Sequence, residues 1–451
     1  MANEADTCRK LITPKLQAAG WDMDPYVLGE QRYITDGRII PVGLRYKRKA
    51  PKKVDYLLGY RRDTPLAVVK AKASDRPAAE GLQQAKDYAE MLGLKFAYAT
   101  NGIDIIEFDY TTGLERSVSD YPEPEEMWRR YCTAVGIATP ETEERLLSPY
   151  NLTLGKPPRY YQTIAINRTV EEILKGRERL LLTMATGTGK TTTAFQICWK
   201  LWSSRWNRKG EHRRPKILFL ADRNFLVDGP RTKDFAPLKD AIHKIGEGEV
   251  SLGREMYFGI YQALAEDGRR EGLFRQFPPD FFDLVIIDEC HRGSARSESA
   301  WRAILDYFAP AVKLGLTATP RSDESADTYG YFGEPIYTYS LRQGIEDGFL
   351  APYRVHRVVS EWDATGWRPT KDLLDRFGRP IPDEEYQTKD FEKAVALRAR
   401  TQAIAKHLHE FMAKTDPLAK TIVFCVDQEH ALDMARELGN LNAEARRSRP
   451  N

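Results

Sequence analysis

The stretch MATGTGKTTT, residues 184–193, sets Gly187 and Gly189 directly ahead of Lys190 and Thr191. Glycine allows the tight turn in which successive backbone N–H groups face one anion. Beside such a nest, an ammonium and a hydroxyl suit a polyphosphate and its Mg²⁺. Thr186, Gly187, Thr188, Gly189, Lys190, Thr191 and Thr192 are therefore the candidate nucleotide contacts. Met184 stands where the general pattern of this loop has its first glycine. Downstream, LVIIDECH ends an apolar run in Asp288 and Glu289. One carboxylate there can hold Mg²⁺ through water while the other orients or deprotonates an attacking water. LGLTATPR places Thr317, Ala318 and Thr319 at another strand end, where hydroxyls can sense the carboxylates and signal to bound nucleic acid. A fourth group is less easily read. PLAVVKAKAS ends an apolar run in Lys70 and Lys72, two apart and so on one face of a strand.

These groups need elements to position them. From residue 158 to about 345, the apolar runs LLLTMA, ILFLA, YFGIY, LVIIDE and KLGLTA alternate with helical stretches. That rhythm predicts a parallel sheet covered by helices on both faces. Before it, KVDYLLGYRRDTPLAVVKAK reads as two strands joined by a short turn. AAEGLQQAKDYAEMLGL reads as an amphipathic helix, and KFAYATNGIDIIEFDY as two strands turning at Asn101–Gly102. Residues 131–157, with several prolines and acids, read as a linker. Near the end, TIVFCVDQEHALDMARELG reads as a strand followed by a helix, and WRPTKDLLDRFGRPIPDEEYQ as an irregular insertion.

Composition sets wider bounds. The 451 residues predict about three domains. Hydrophobic and charged contents of 42% and 29% are those of a soluble globular chain, and the net charge of +3 is too close to balance to name a partner. No apolar run is long enough to span a membrane. The five cysteines show no CxxC pairing, which argues against a zinc site or disulfide framework and predicts a reducing cytoplasm.

MATGTGKT, DECH and TATP in this order resemble superfamily 2 helicases and translocases. The resemblance implies further contacts. PRYYQTIAI is similar to the region that grips adenine, with Gln162 as the amide. FLADRNFLVDG and GIYQAL are similar to segments that touch the DNA backbone, through Arg223 and through Tyr261 and Gln262.

The front of the chain resembles metal-dependent nucleases of the PD-(D/E)xK type. There an Asp on one strand and a Glu-x-Lys on the next meet around Mg²⁺. Asp55 and Lys72 match, and Gln84 and Tyr88, four apart on one helix face, match the QxxxY element of the RecB-like subgroup. Lys70 does not match, because it stands where the family has an acid. At about 4 Å and an effective dielectric near 20, a unit charge and a divalent ion interact by roughly 8 kcal/mol, so lysine turns attraction into repulsion. Either the metal site is broken, or Glu30 or Glu80 supplies the missing ligand, or both lysines face solvent at a strand end. The basic run RYKRKAPKK just before Asp55 is either a solvated face or a contact for DNA phosphates.

Nuclease and motor in this order resemble the restriction (R) subunit of type I restriction enzymes. The resemblance implies an α/β chain: a PD-(D/E)xK endonuclease-like domain over 1–130, the linker, a first RecA-like motor lobe over 158–345 and a partial second lobe over 346–451. It implies ATP and Mg²⁺ as cofactors, double-stranded DNA as substrate, and methyltransferase and specificity subunits as partners. It also implies that the 451 residues form the N-terminal part of a longer subunit, with nucleotide binding but slow hydrolysis. Two other readings remain: a nuclease–helicase fusion of another DNA defence or repair system, and a non-catalytic DNA-binding scaffold.

Overall fold

The computed structural model describes residues 3–42, 45–153, 155, 157–221, 224–246, 251–260, 264, 272–290, 302–319, 322–323, 326–359, 368–369, 380–384 and 398–442. They fall into two compact units, one comprising Met1–Ile40 with Lys47–Pro352, the other Pro41–Tyr46 with Tyr353–Asn451.

The first unit begins with helix α1 (Glu4–Thr7), a π-helical turn (Cys8–Ile12) and α2 (Thr13–Ala18). Strands β1 (Val27–Tyr33), β4 (Lys53–Arg61) and β5 (Thr64–Ala71) follow, and the short strands β2 (Ile39–Val42) and β3 (Arg45–Arg48) between β1 and β4 include residues of the second unit. After α3 (Leu82–Leu92) come β6 (Phe96–Thr100), β7 (Ile105–Asp109) and β8 (Leu114–Val118). Six of these strands form one sheet in the order β1-β4-β5-β6-β7-β8. Only β5 and β6 pair in parallel, as the α3 crossover between them requires. The central strands β4 and β5 are buried nearly throughout, which explains why both read as apolar runs rather than alternating ones.

The segment read as a linker is built into the core. Helix α4 (Pro124–Val135) runs into it and α5 (Pro140–Leu146) lies wholly inside it. Trp128, Ile137 and Leu146 are buried in the same apolar cluster as Tyr56 and Phe96 of the first sheet and Tyr161 and Ile166 of the next helix. Of the prolines that suggested a linker, Pro140 opens α5, where a missing N–H costs nothing.

The second sheet holds the motor motifs. Its strands are β9 (Arg179–Met184), β10 (Ile217–Ala221), β11 (Ile242–Lys244), β12 (Met256–Ile260), β13 (Leu284–Asp288), β14 (Val312–Thr317) and β15 (Tyr337–Tyr339). They lie in the order β11-β12-β10-β13-β14-β9-β15, parallel throughout. Side chains alternate between two cores. Ile217, Phe219, Leu284 and Ile286 face the core shared with α6 (Tyr160–Leu174) and α7 (Lys190–Ser203), while Leu218, Leu220, Val285 and Ile287 face Phe277, Phe282 and Phe308. Burial on both faces is the parallel-sheet signature that the sequence carried.

In the second unit, helices Arg398–Lys414 and Gln428–Leu441 pack together and Ala405 and Met434 are buried. The strand expected just before the second helix does not form. Residues 421–426 carry no strand, and Ile422 and Phe424 are 78% and 91% exposed. A strand is held by ladder hydrogen bonds to neighbours, and no described strand pairs with this stretch. Most of the insertion expected at 367–387 lies outside the described residues.

Candidate active sites

The nucleotide motifs converge because three parallel strands end side by side. Thr317 of β14 is in register with Thr183 of β9, and Leu316 of β14 with both Leu182 of β9 and Asp288 of β13. Loop 185–189 then turns from β9 into α7, with Gly187 and Gly189 at φ +83° and +82°. Gly189 is also a close approach, since a Cβ there would lie 2.5 Å from Gln162 Nε2. The Lys190 ammonium donates to the Met184 carbonyl at 3.3 Å and lies 3.5 Å from Glu289 Oε1. Glu289 sits at φ +53°, a left-handed backbone that side chains rarely adopt, and its N–H is held at 2.9 Å by Asp288 Oδ1. Strain of this kind, held by its surroundings, is a mark of functional positions. Thr317 is fully buried and its hydroxyl accepts from the Thr319 N–H at 3.1 Å, while Ala318 is half-buried.

Several loop residues have partners that sequence reading did not foresee. Thr188 is buried, and its carbonyl accepts from both Tyr161 Oη and Gln162 Nε2 at 3.0 Å. Gln162 Oε1 accepts the Arg159 N–H at 2.9 Å, so the amide expected to grip adenine also ties the start of α6 to the phosphate loop. Thr192 donates to Asp234 at 2.7 Å, whereas Thr186 is exposed and Thr191 half-buried at the loop. Tyr161 stacks on Tyr339 with ring centres 3.9 Å apart. Tyr160 and Tyr339 both donate to Asp347 Oδ2, and Leu350 lies 3.3 Å from where a Gly187 Cβ would stand.

The other group lies on the first sheet. Tyr56 of β4 is opposite Val69 of β5, which makes Asp55 and Lys70 the next cross-strand neighbours. Lys70 Nζ donates to Asp55 Oδ2 at 2.6 Å, and the Ala71 N–H reaches the same oxygen at 2.9 Å. Both residues are 8% exposed. Burial works against the lysine's charge, yet the Asp55 hydrogen bond and charge, with help from Glu4, hold its pKa above the ordinary value. Lys72 shares that face, as its spacing requires. Gln84, exposed on α3, donates to the half-buried Tyr88 Oη at 3.4 Å, and Tyr88 lies near enough to Lys70 to act on its charge.

Neither acid proposed to replace the missing ligand is in place. Glu30 is opposite Tyr56, hence on the other face from Asp55, and accepts from Thr13 at 3.2 Å. Glu80 pairs with Arg76 at 3.5 Å. The acid that does arrive is Glu4, whose carboxylate lies 3.6 Å from Lys70 Nζ and 3.8 Å from Lys72 Nζ. Its only signal in the sequence is a short capped helix, with Asn3 accepting the Asp6 N–H.

The family described as "Type III restriction enzyme, res subunit" matches residues 155–322. The endonuclease subunit of the type I restriction enzyme EcoAI from Escherichia coli is 43% identical over 98% of this chain, which spans 54% of that protein. A fragment structure described as an HsdR subunit of a type I restriction enzyme from Vibrio vulnificus YJ016 covers 100% of the chain at 54% identity and a TM-score of 0.83, and the chain covers 77% of it.

The chain belongs to the R (HsdR) subunits of type I restriction enzymes.

A second such subunit, that of EcoKI from Escherichia coli K12, is 30% identical over 62% of the chain and 26% of that protein. The chain thus spans about half the length of the first of these R subunits and a quarter of the second. Arg223, Tyr261 and Gln262, the DNA contacts expected of an R subunit's motor, lie outside the described residues. No described helix is long and apolar enough to cross a membrane. Among the described residues no group of three or more His, Cys, Asp or Glu could hold a metal. Asp55, with an ammonium on its carboxylate, does not fit a divalent ion.

Proposed function

We propose that this chain carries the nucleotide-driven motor of a type I R subunit. It binds ATP with Mg²⁺ and uses the cycle to move double-stranded DNA in a complex with methyltransferase and specificity subunits, with Lys70 impairing the nuclease site of its first sheet. The observation that carries the reading is the pairing of Lys190 with Glu289 across the ends of β9 and β13. Both side chains are about nine-tenths buried, which makes their mutual charge matter.

The residues fit the absent nucleotide and metal. Two glycines in left-handed conformation open the loop, and Thr191 with Asp288 provides hard oxygen donors at its rim. Bound Mg²⁺ would supply charge neutralisation of the phosphates. Lys190 holds its position through Met184 and Glu289 until phosphate offers a stronger partner. Release of Glu289 from Lys190 then leaves a strained carboxylate to orient water. Thr317, joined to Thr319, links that event to the strand end that faces nucleic acid in this reading.

The test is an ATP titration by calorimetry. Lys190→Ala should weaken binding at least about tenfold, roughly 1.4 kcal/mol. An unchanged affinity would contradict the assignment.

A further inference from the structure

The pocket around Asp55 contains matched opposite charges. Asp55 and Glu4 bring two carboxylates; Lys70 and Lys72 bring two ammonium groups. Lys70 Nζ stands between the carboxylates, 2.6 Å from Asp55 and 3.6 Å from Glu4. Asp55 Oδ2 already accepts two donors, one of them a backbone N–H that side-chain motion cannot remove. The lysine side chain is 10% exposed. Gly81 makes room for it: a Cβ there would lie 3.4 Å from Cγ of both Lys70 and Lys72.

We infer that Lys70 is the resident cation of this pocket: it bridges Asp55 and Glu4 in the place a divalent ion would need, so the pocket binds no metal and does not cut DNA. The inference rests on the family reading for the expectation of a metal, and on geometry for its refusal. Two carboxylates opposed by two ammonium groups give no net charge to draw a dication out of water. Glu4, from a helix some fifty positions before the strands it meets, completes the ion-pair cluster and replaces the acid that position 70 lacks.

Mn²⁺ titration of the whole chain without nucleotide, read by electron paramagnetic resonance, tests this. Wild type and Asp55→Asn should bind the same number of ions. Lys70→Glu should bind one more, and adding Asp55→Asn to it should weaken that ion at least about tenfold, with Glu4→Gln weakening it several-fold. If wild type holds an ion that Asp55→Asn releases, Lys70 moves aside and the inference falls. If folded Lys70→Glu gains none, the pocket lacks a metal-binding shape and the inference also falls. Should circular dichroism show Lys70→Glu unfolded, Lys70→Gln keeps a polar side chain without the charge; it should gain weak Mn²⁺ binding, and no gain overturns the inference. ATP binding is measured on the same samples: its absence in wild type would sink the motor reading and leave the manganese result to stand by itself.

Discussion

Lys200 Nζ lies 3.6 Å from Asp63 Oδ2, with the lysine side chain wholly buried and the aspartate's 10% exposed. The lysine is on α7, the helix that begins at the phosphate loop; the aspartate is in the turn between β4 and β5, the strands of the other pocket. At 3.6 Å this is an ion pair without a hydrogen bond, supplemented by the Tyr150 ring, whose centre is 4.9 Å from the ammonium. Asp63 also accepts the Tyr150 N–H at 3.1 Å through its side chain and Asn167 Nδ2 at 2.8 Å through its carbonyl. One turn thereby fastens the first sheet to the motor sheet.

Breaking one side of a buried pair leaves the other charge uncompensated. Asp63→Ala should cost about 3–5 kcal/mol of stability, and Lys200→Met, which leaves the Asp63 carboxylate without its cation, should also destabilise, whereas removing both charges should be closer to neutral. The double variant should therefore be more stable than Asp63→Ala alone. Denaturant unfolding measures all three, and a double variant no more stable than Asp63→Ala would show that the pair is not the cause.

The same lysine sets an alkaline dependence. Burial lowers the Lys200 pKa below 10.5, and the Asp63 charge only partly restores it. Between the folded value and 10.5 the unfolded chain holds a proton that the folded one has released, so stability rises with pH in that window. Wild type should gain on Lys200→Met in melting temperature as pH rises toward 10.5. Lys70 acts in the opposite sense and in another window. Its pKa is raised, so its stabilisation is complete below 10.5 and fades only above that, as pH passes the folded value.

Asp347 is the acceptor for two phenols, the buried Tyr339 and the half-buried Tyr160. Its side chain takes Tyr160 and Tyr339, and its carbonyl takes the Asp36 N–H at 2.9 Å. Asp347→Ala leaves both hydroxyls without this partner, at about 1–3 kcal/mol for an unsatisfied buried group. Phe349 and Leu350, which follow it, pack beside Tyr161 and the phosphate loop. ATP affinity should therefore fall several-fold along with the melting temperature. A melting loss with no change in affinity would separate this loop from the nucleotide.

Glu289→Gln keeps the size of the side chain and loses the base and the charge beside Lys190. In an assembled R subunit with DNA it should bind ATP and fail to turn it over, with hydrolysis down by at least about a hundredfold. A rapid-quench assay that found normal turnover would remove Glu289 from the reaction.

Local grammar was enough for much of this protein. The parallel motor sheet, its phosphate loop and the carboxylates at its strand ends are all written in short segments, because strand period, glycine turns and motif spacing act over a few residues. The same holds for β4 and β5, the Asn101–Gly102 turn and the shared face of Lys70 and Lys72. What lay beyond the sequence depends on contacts distant along the chain. The 131–157 segment carries linker-like prolines, yet apolar burial of Ile137 and Leu146 makes it part of the core. The stretch at 421–426 has strand composition, but a strand needs a neighbour, and none is described beside it. Gln162 was legible as an amide for adenine, but its hydrogen bond to the Thr188 carbonyl depends on how α6 packs on the phosphate loop. Position 70 announced a missing acid; only the fold could bring Glu4 to it, because nothing in a four-residue helix at the start of a chain says which strand ends it will cover.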